Sequence, residues 1–293
     1  MGTEINNTTA IEFRDVSLSF DEKRVLTDIN LRLKHGEMVF ITGVAGSGKS
    51  VLLRLAIALE QPDSGQVLIE GRDVAVLDED QLLELRGSRM GIVFQEDSLF
   101  TGMTAYDNVA YRLREHGVHE EETDKAVMEV LRFVGLDQDA EKFPAEMSGG
   151  MRRRLEIARA LVGWPSIMLF DEPASGLDPL TAIQVLDLIV RARDLYGISS
   201  MYVTKKLDEI PYLASHRARG NGTSVVIEET LPRARVIVLD EGRIAFEGNI
   251  ADFESSSVPA VRRLTHWESE TVISSFSSSD PWDKRRLPQE PIL

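Results

Sequence analysis

The sequence predicts an α/β fold: a strand–loop–helix core, an antiparallel β-subdomain ahead of it, and a helical subdomain inserted within it. Three observations carry that expectation. A short apolar run, residues 38–41, enters the loop G-V-A-G-S-G-K-S at 43–50, and an apolar stretch at 51–59 continues from it as a helix. A second apolar run, 167–170, ends in Asp171-Glu172-Pro173. Ahead of both, residues 11–20 and 26–33 alternate apolar and polar side chains, the period of half-buried antiparallel strands.

The remaining elements follow along the chain. Residues 65–69 and 91–94 read as further strands, and from about 98 to 161 the pattern turns helical. Thr104 and the stretch from Glu120 to Thr123 are the candidate helix starts there. Strands return at 167–170, 200–204 and 235–239. Between the last two, Gly220-Asn221-Gly222 is a turn signal followed by a strand-favouring run at 224–227, which together predict a protruding hairpin. No internal repeat is present. After Phe253 the composition shifts to serine, proline and mixed charge, so the expected division is a folded domain over 1–253 and a low-complexity extension over 254–293.

Composition narrows the function. A chain of 293 residues with 43% hydrophobic content can bury one large core or two lobes of one. A formal net charge of −15 disfavours nonspecific binding to nucleic acid or to an anionic membrane. The absence of cysteine excludes disulfides and thiolate metal sites and fits a reducing compartment. The opening M-G-T-E-I-N-N-T-T-A lacks the basic and apolar regions of a secretory signal. The longest apolar stretch, 51–59, is broken by Arg54 and is too short to cross a bilayer. The chain is therefore expected to be soluble, with any membrane role supplied by a partner.

The glycine loop has the chemistry of a phosphate cradle. Gly43, Gly46 and Gly48 let the backbone curl so that N–H groups, including those of Val44, Ala45, Ser47 and Val51, face an anion. Lys49 adds a point charge for the β- and γ-phosphates, and Ser50 a hydroxyl ligand for Mg2+. The helix that follows aims its positive end at the same anion. At the second site, Asp171 closes a buried strand and suits Mg2+, while Glu172 suits the orientation and polarisation of an attacking water. Gln95, at the end of the 91–94 strand, can reach both metal and water. The expected cofactors are ATP and Mg2+.

Taken in order, the phosphate loop, V-F-Q at 93–95, S-G-G at 148–150, D-E-P at 171–173 and G-L-D at 176–178 resemble an ATP-binding cassette (ABC) ATPase. The resemblance spans roughly residues 11–250 and implies a RecA-like P-loop core, an antiparallel β-subdomain and a helical subdomain at about 98–161. It implies that Phe20 stacks on adenine. It also implies that Ser148, Gly149 and Gly150 cap the γ-phosphate bound by a sister subunit, so that two ATP molecules lie in the seam of a homodimer. Ser175 to Asp178 match the segment that links the two sites, with Ala174 in place of a more usual threonine.

Finer details, including Val51 after the phosphate loop, the string L-R-E-H at 113–116 and Met151 after the signature, resemble the ATPases of Mce/Mla-type lipid transporters. That branch implies a permease dimer, a ring of Mce-domain lipid-binding proteins and a place on the cytoplasmic face of the bacterial inner membrane. It also implies that a C-terminal extension reaches the sister subunit; Phe276 and Trp282 are the candidate anchors, Trp267 is a third aromatic in the same tail, and a disordered tail is the alternative expectation. A polar-solute importer is the alternative expectation. One position departs from the family pattern: Lys205, in V-T-K-K-L-D, stands where most ABC ATPases carry a γ-phosphate-contacting histidine. A lysine there can donate to phosphate or pair with Glu172. A slow ATPase and a nucleotide-binding chain with weak hydrolysis both stay open.

Overall fold

The structure is a computed structural model that describes residues 9–96, 98–219, 224–227 and 234–265. The chain opens with two long antiparallel strands, β1 (Thr9–Phe20) and β2 (Lys23–Lys34). Their alternation places Ile11, Phe13, Val16 and Leu18 of β1, with Leu26, Ile29, Leu31 and Leu33 of β2, on buried positions. Then come β3 (Met38–Thr42), α1 (Lys49–Ala56), β4 (Ser64–Ile69), β5 (Arg72–Asp73), α2 (Glu79–Arg89) and β6 (Met90–Val93). The helical insertion holds α3 (Ala105–Glu115), α4 (Glu120–Val134) and α5 (Gly149–Leu161). The core resumes with β7 (Ile167–Asp171), α6 (Pro179–Tyr196), β8 (Ser199–Val203) and α7 (Glu209–Ser215). It closes with β9 (His216–Arg219), β10 (Ser224–Ile227), β11 (Ala234–Asp240), β12 (Arg243–Gly248) and α8 (Ile250–Glu254).

Two main sheets result. The antiparallel sheet has the order β2-β1-β4-β5, and the central sheet the order β12-β11-β3-β8-β7-β6. In the central sheet β11, β3, β8, β7 and β6 are parallel, and only β12 runs against its neighbour. β3, β7 and β8 are buried along their whole length, which is why they read as unbroken apolar runs rather than alternating ones. Alternate residues still serve different layers. Val39 and Ile41 pack with α1 and the antiparallel sheet, while Met38 and Phe40 pack with α5, α6 and α7.

Parallel registration puts the carboxyl ends of four strands on one edge. Ile41 sits opposite Val203, Asp171 opposite Val203, and Val93 opposite Phe170. The loops that leave these ends carry Gly43 to Ser50, Gln95, Glu172 and Lys205. Open α/β sheets place ligands at this edge.

Local signals decide the helix ends. Thr104 caps α3 by accepting from the Asp107 N–H, as the sequence predicts. Asp178 caps α6 with Pro179 in its first turn. The expected start over 120–123 is corrected in detail: α4 begins at Glu120 with His119 at its N-cap and no side-chain cap, and Thr123 is instead fully buried. α1 is shorter than the apolar run suggests, because Ala58 takes a left-handed conformation with φ 56°.

The predicted hairpin is present as β9 paired with β10, while its Gly220-Asn221-Gly222 turn lies outside the described residues. Beyond Phe253, residues 259–265 are helical, and Ala260 and Val261 are buried against the core. Trp267, Phe276 and Trp282 lie outside the described residues. Among the described residues no helix is long and apolar enough to cross a membrane.

Candidate functional site

The loop between β3 and α1 is shaped by contacts that only glycine tolerates. At Gly43 a Cβ would stand 2.2 Å from the Leu239 carbonyl oxygen, and at Gly48, with φ 100°, it would stand 2.6 Å from Leu26 Cδ2. The antiparallel subdomain, through Leu26, and β11, through Leu239, therefore press the loop against the end of the sheet. Val44, Ala45 and Gly46 are exposed at its crest; Gly43, Ser47 and Gly48 are buried. Lys49 is buried and folds back, donating to the carbonyls of Gly43 and Val44, each at 2.8 Å, and to Ser47 Oγ at 3.4 Å. Burial holds its pKa below the usual lysine range, and the nearby Lys205 ammonium adds to that shift. An ammonium ion in this setting has lost hydration, a cost that a bound anion would offset. Val51 is half-buried in α1 and packs into the core.

At the end of β7, Asp171 and Glu172 are both buried. Burial raises the Asp171 pKa, opposed first by a hydrogen bond from Ser50, with Glu172 adding a further upward push. Asp171 Oδ1 is buried with no hydrogen-bond partner. Glu172 takes a left-handed conformation, φ 48°, and its N–H donates to the Val203 carbonyl at 2.9 Å. That bond ties the acid segment to the end of β8, from which Lys205 projects. Lys205 Nζ stands 2.7 Å from Glu172 Oε1.

Ser50, Gln95 and Asp171 line one cleft of about 300 Å3, together with Arg54, Phe94 and Ser98. The structure thus brings Ser50 of the phosphate loop, Asp171 and Gln95 to one cleft, while Glu172, next in the chain to Asp171, does not line it. Phe20 is exposed at the end of β1, outside both core clusters. Ser148, Gly149 and Gly150 do not line that cleft. They begin α5, where Ser148 Oγ accepts from the Met151 N–H at 3.2 Å, and Ser148 and Gly149 are exposed.

The ABC transporter family model matches residues 26–175. The chain belongs to the ABC transporter family. This ABC chain is 38% identical over 240 residues to the methionine import ATP-binding protein MetN of Brucella abortus (strain 2308), a match covering 82% of the chain and 60% of that relative. It is 35% identical over 258 residues to MetN of Leifsonia xyli subsp. xyli (strain CTCB07), covering 87% and 70%. The chain thus spans about three fifths of the length of the first of these relatives. Among solved structures it is similar to the ATP-binding cassette MJ0796, seen as a dimer in a post-hydrolysis state bound to ADP and Pi. The TM-score is 0.69 at 29% identity, covering 82% of this chain and 98% of that one. The fold is that of an ABC ATPase, with a RecA-like core and both subdomains.

These relatives overturn the expected Mce/Mla lipid-transport assignment, because they are methionine import proteins. The residues that suggested it have ordinary structural roles. Val51, Leu113 and Met151 are partly buried packing residues, and Arg114 pairs across the helix surface with Asp107 and Glu120.

Sequence reasoning missed the residue that joins the two halves of the site. Arg153 of α5 donates to the carbonyls of Phe94 at 2.8 Å and Gln95 at 3.1 Å, and pairs with Glu156 at 2.7 Å. Glu156 in turn accepts from the Ser98 N–H at 2.9 Å. The only signal was the cationic run R-R-R after the signature, which does not say which arginine turns inward. Also missed was the network holding the Lys205 loop. Glu209 Oε2 accepts from Tyr202 at 2.8 Å and from Thr204 at 2.7 Å, and Thr204 Oγ1 accepts from the Lys206 N–H at 2.9 Å.

Proposed function

We propose that this chain is the ATP-hydrolysing subunit of an ABC importer for a polar solute of the amino-acid class. The observation that carries the reading is the likeness to methionine import ATP-binding proteins across more than four fifths of the chain. In this reading the chain works as a homodimer bound to two copies of an integral-membrane permease. It lies at the cytoplasmic face of the membrane and enters no bilayer itself. The cargo never touches it.

The loop from Gly43 to Val51 binds the phosphates of ATP through its backbone, Lys49 neutralises the β- and γ-phosphates, and Phe20 stacks on the adenine. Ser148, Gly149 and Gly150 of the second copy complete the site from across the seam. Glu172 orients the attacking water and accepts its proton. Gln95 reports the state of the site to the helical subdomain, because Arg153 binds its carbonyl. The buried, partnerless Oδ1 of Asp171 beside Ser50 suits a hard cation. Ser50, Gln95 and Asp171 would hold Mg2+, which supplies neutralisation of the phosphate charge that builds during transfer.

The permease seat is a groove of about 480 Å3 lined by Ile57, Leu83, Phe94, Tyr111, Arg112 and His116 among others. It runs between α2 and the helical subdomain, next to the Gln95 segment, so a helix lodged there would feel closure of the ATP site. Closure driven by ATP then shifts the permease between its conformations.

Purification with associated membrane proteins in mild detergent tests the reading. It expects a permease to co-purify and ATP turnover to respond to an amino-acid cargo and its binding protein. Turnover that is indifferent to every polar solute, or no co-purifying membrane protein, would contradict it.

A further inference from the structure

Both ends of the phosphate loop rest on one turn, the connection from Asp240 to Arg243 between β11 and β12. On one flank the Leu239 carbonyl closes against Gly43, where no Cβ fits. On the other, the Gly242 carbonyl accepts from the Thr27 N–H at 2.8 Å, and a Cβ at Gly242 would run into the Val25 carbonyl oxygen. Val25 and Thr27 bracket Leu26, whose side chain presses on Gly48. Arg243 pairs with Asp28 at 3.0 Å and fastens the same turn to β2 once more. Glu241 and Gly242, at φ 47° and 74°, are two successive left-handed residues, the geometry of a tight two-residue hairpin turn.

The helix over 259–265 holds this turn as well. It buries Ala260 and Val261 against the core, and its exposed Arg263 donates through Nη2 to Asp240 Oδ2. The Arg263 side chain is 54% exposed and that of Asp240 23%. A surface pair of this kind adds little to global stability. Its place gives it another use, because Asp240 directly follows the residue whose carbonyl meets Gly43.

We propose that Asp240 and Arg263 are positioning residues for the phosphate loop: their ion pair sets the turn against which Gly43 and Gly48 are shaped, and so couples the C-terminal helix to nucleotide affinity. The inference rests on the ATP-binding reading of this loop and goes beyond it. A curl of backbone N–H groups binds an anion best when it is already formed, since ordering it on binding costs affinity. The loop serves phosphates that ATP and ADP share, so loosening the turn weakens both nucleotides alike. Residues 266–293 follow directly on this helix. A partner bound to that part of the chain thereby acts on the nucleotide through Arg263.

The experiment measures equilibrium binding of ATP and of ADP to the full chain, unaltered and as Arg263→Ala, Arg263→Lys, Asp240→Asn and the Arg263→Ala/Asp240→Asn double variant. Arg262→Ala, exposed on the same helix, is the control. Arg263→Ala and Asp240→Asn are each expected to weaken both nucleotides about threefold, the double variant no more than either, and Arg263→Lys to keep most of the affinity. Asp240→Asn removes a negative charge, which by charge alone would strengthen anion binding, so a weakening there reports position. The midpoint of urea unfolding is expected to hold in all of them. Unchanged affinity, additive losses, a loss matched by Arg262→Ala, or losses that appear only with a fall in the urea midpoint would overturn the proposal.

Amide hydrogen exchange on the nucleotide-free chain supplies a second readout. Exchange over residues 43–50 is expected to quicken in Arg263→Ala and Asp240→Asn and to stay as it is in Arg262→Ala. The same exchange in all three as in the unaltered chain would overturn the proposal. The ATP-binding reading fails separately: there, the unaltered chain would bind no ATP, or Lys49→Ala would bind it as well as the unaltered chain does, while the exchange measurement still decides whether Arg263 holds the loop.

Discussion

Arg153 Nη1 donates to the Phe94 carbonyl at 2.8 Å, which fastens the first turns of the signature helix to the strand end that carries Gln95. The residues are fifty-nine apart in sequence, and the bond crosses from the helical subdomain to the core. Arg153 and its partner Glu156 are both buried, with side-chain exposures of 10% and 4%. Arg153→Ala removes the countercharge of a buried carboxylate and two backbone contacts at once. The expected loss is about 3 kcal/mol in urea unfolding, since breaking one side of a buried pair costs more than the pair contributes. ATP turnover is expected to fall further than in a surface arginine variant such as Arg132→Ala. Equal turnover in the two variants would show that the link does not carry the signal.

Gly150 tests whether the signature glycines serve phosphate or packing. A Cβ at Gly150 would lie 2.5 Å from Thr181 Cγ2, whereas at Gly149 nothing stands within 4 Å. Gly150→Ala is therefore expected to lower stability by about 1–2 kcal/mol through overpacking. Adding Thr181→Ser, which removes the obstructing methyl, is expected to restore most of it. Thermal unfolding of the single and double variants decides the matter.

Trp164 joins the helical subdomain to the core. Its ring stacks on Tyr196 of α6 at 3.5 Å and meets Phe133 of α4 edge-on at 5.2 Å, and its Nε1 donates to Glu129 at 3.1 Å. Trp164→Ala is expected to cost about 2 kcal/mol, because the ring is only partly buried. Trp164→Phe keeps the stacking and is expected to lose about half of that. A drop of the same size in both variants would locate the stabilisation in the indole N–H bond rather than in the stack.

Asp107 gives the helical subdomain a dependence on pH. The Thr104 hydroxyl, first, and then the Arg114 guanidinium hold its carboxyl below the ordinary carboxylate pKa. The folded state therefore favours the ionised form. Its contribution is complete above the unfolded pKa and is lost as pH falls through the lowered folded value. Unfolding followed from pH 6 to pH 2 is expected to show a smaller acid loss in Asp107→Asn than in the unaltered chain. Parallel curves would contradict the assignment.

Much of the core was legible because its signals are local. β3 and β7 are continuous apolar runs that stop at polar loops, and Thr104 and Asp178 sit where capping chemistry requires them. α2 gave little pattern, since only Leu82 and Leu85 are buried along its eleven residues. β12 was missed for a similar reason: Ile244, Ala245 and Phe246 are all half-buried and show no alternation. The pairing of Arg153 with the Gln95 segment depends on two elements meeting in space, so no local window contains it. Cargo was misread because Val51, Leu113 and Met151 answer to the packing of their own helices.

The central claim is that ATP closes two copies of this chain on each other through the phosphate loop of one and the signature of the other. Light scattering on the Glu172→Gln chain, with and without Gly149→Arg, tests it most directly in the presence of Mg2+ and ATP. Gly149 is exposed and has free space around it, so the fold tolerates the arginine, whereas a seam closed over it would not. The account predicts a dimer with ATP, a monomer with ADP, and a monomer in both nucleotides once Gly149→Arg is added. A chain that stays monomeric at saturating ATP, or a dimer untouched by Gly149→Arg, would contradict it.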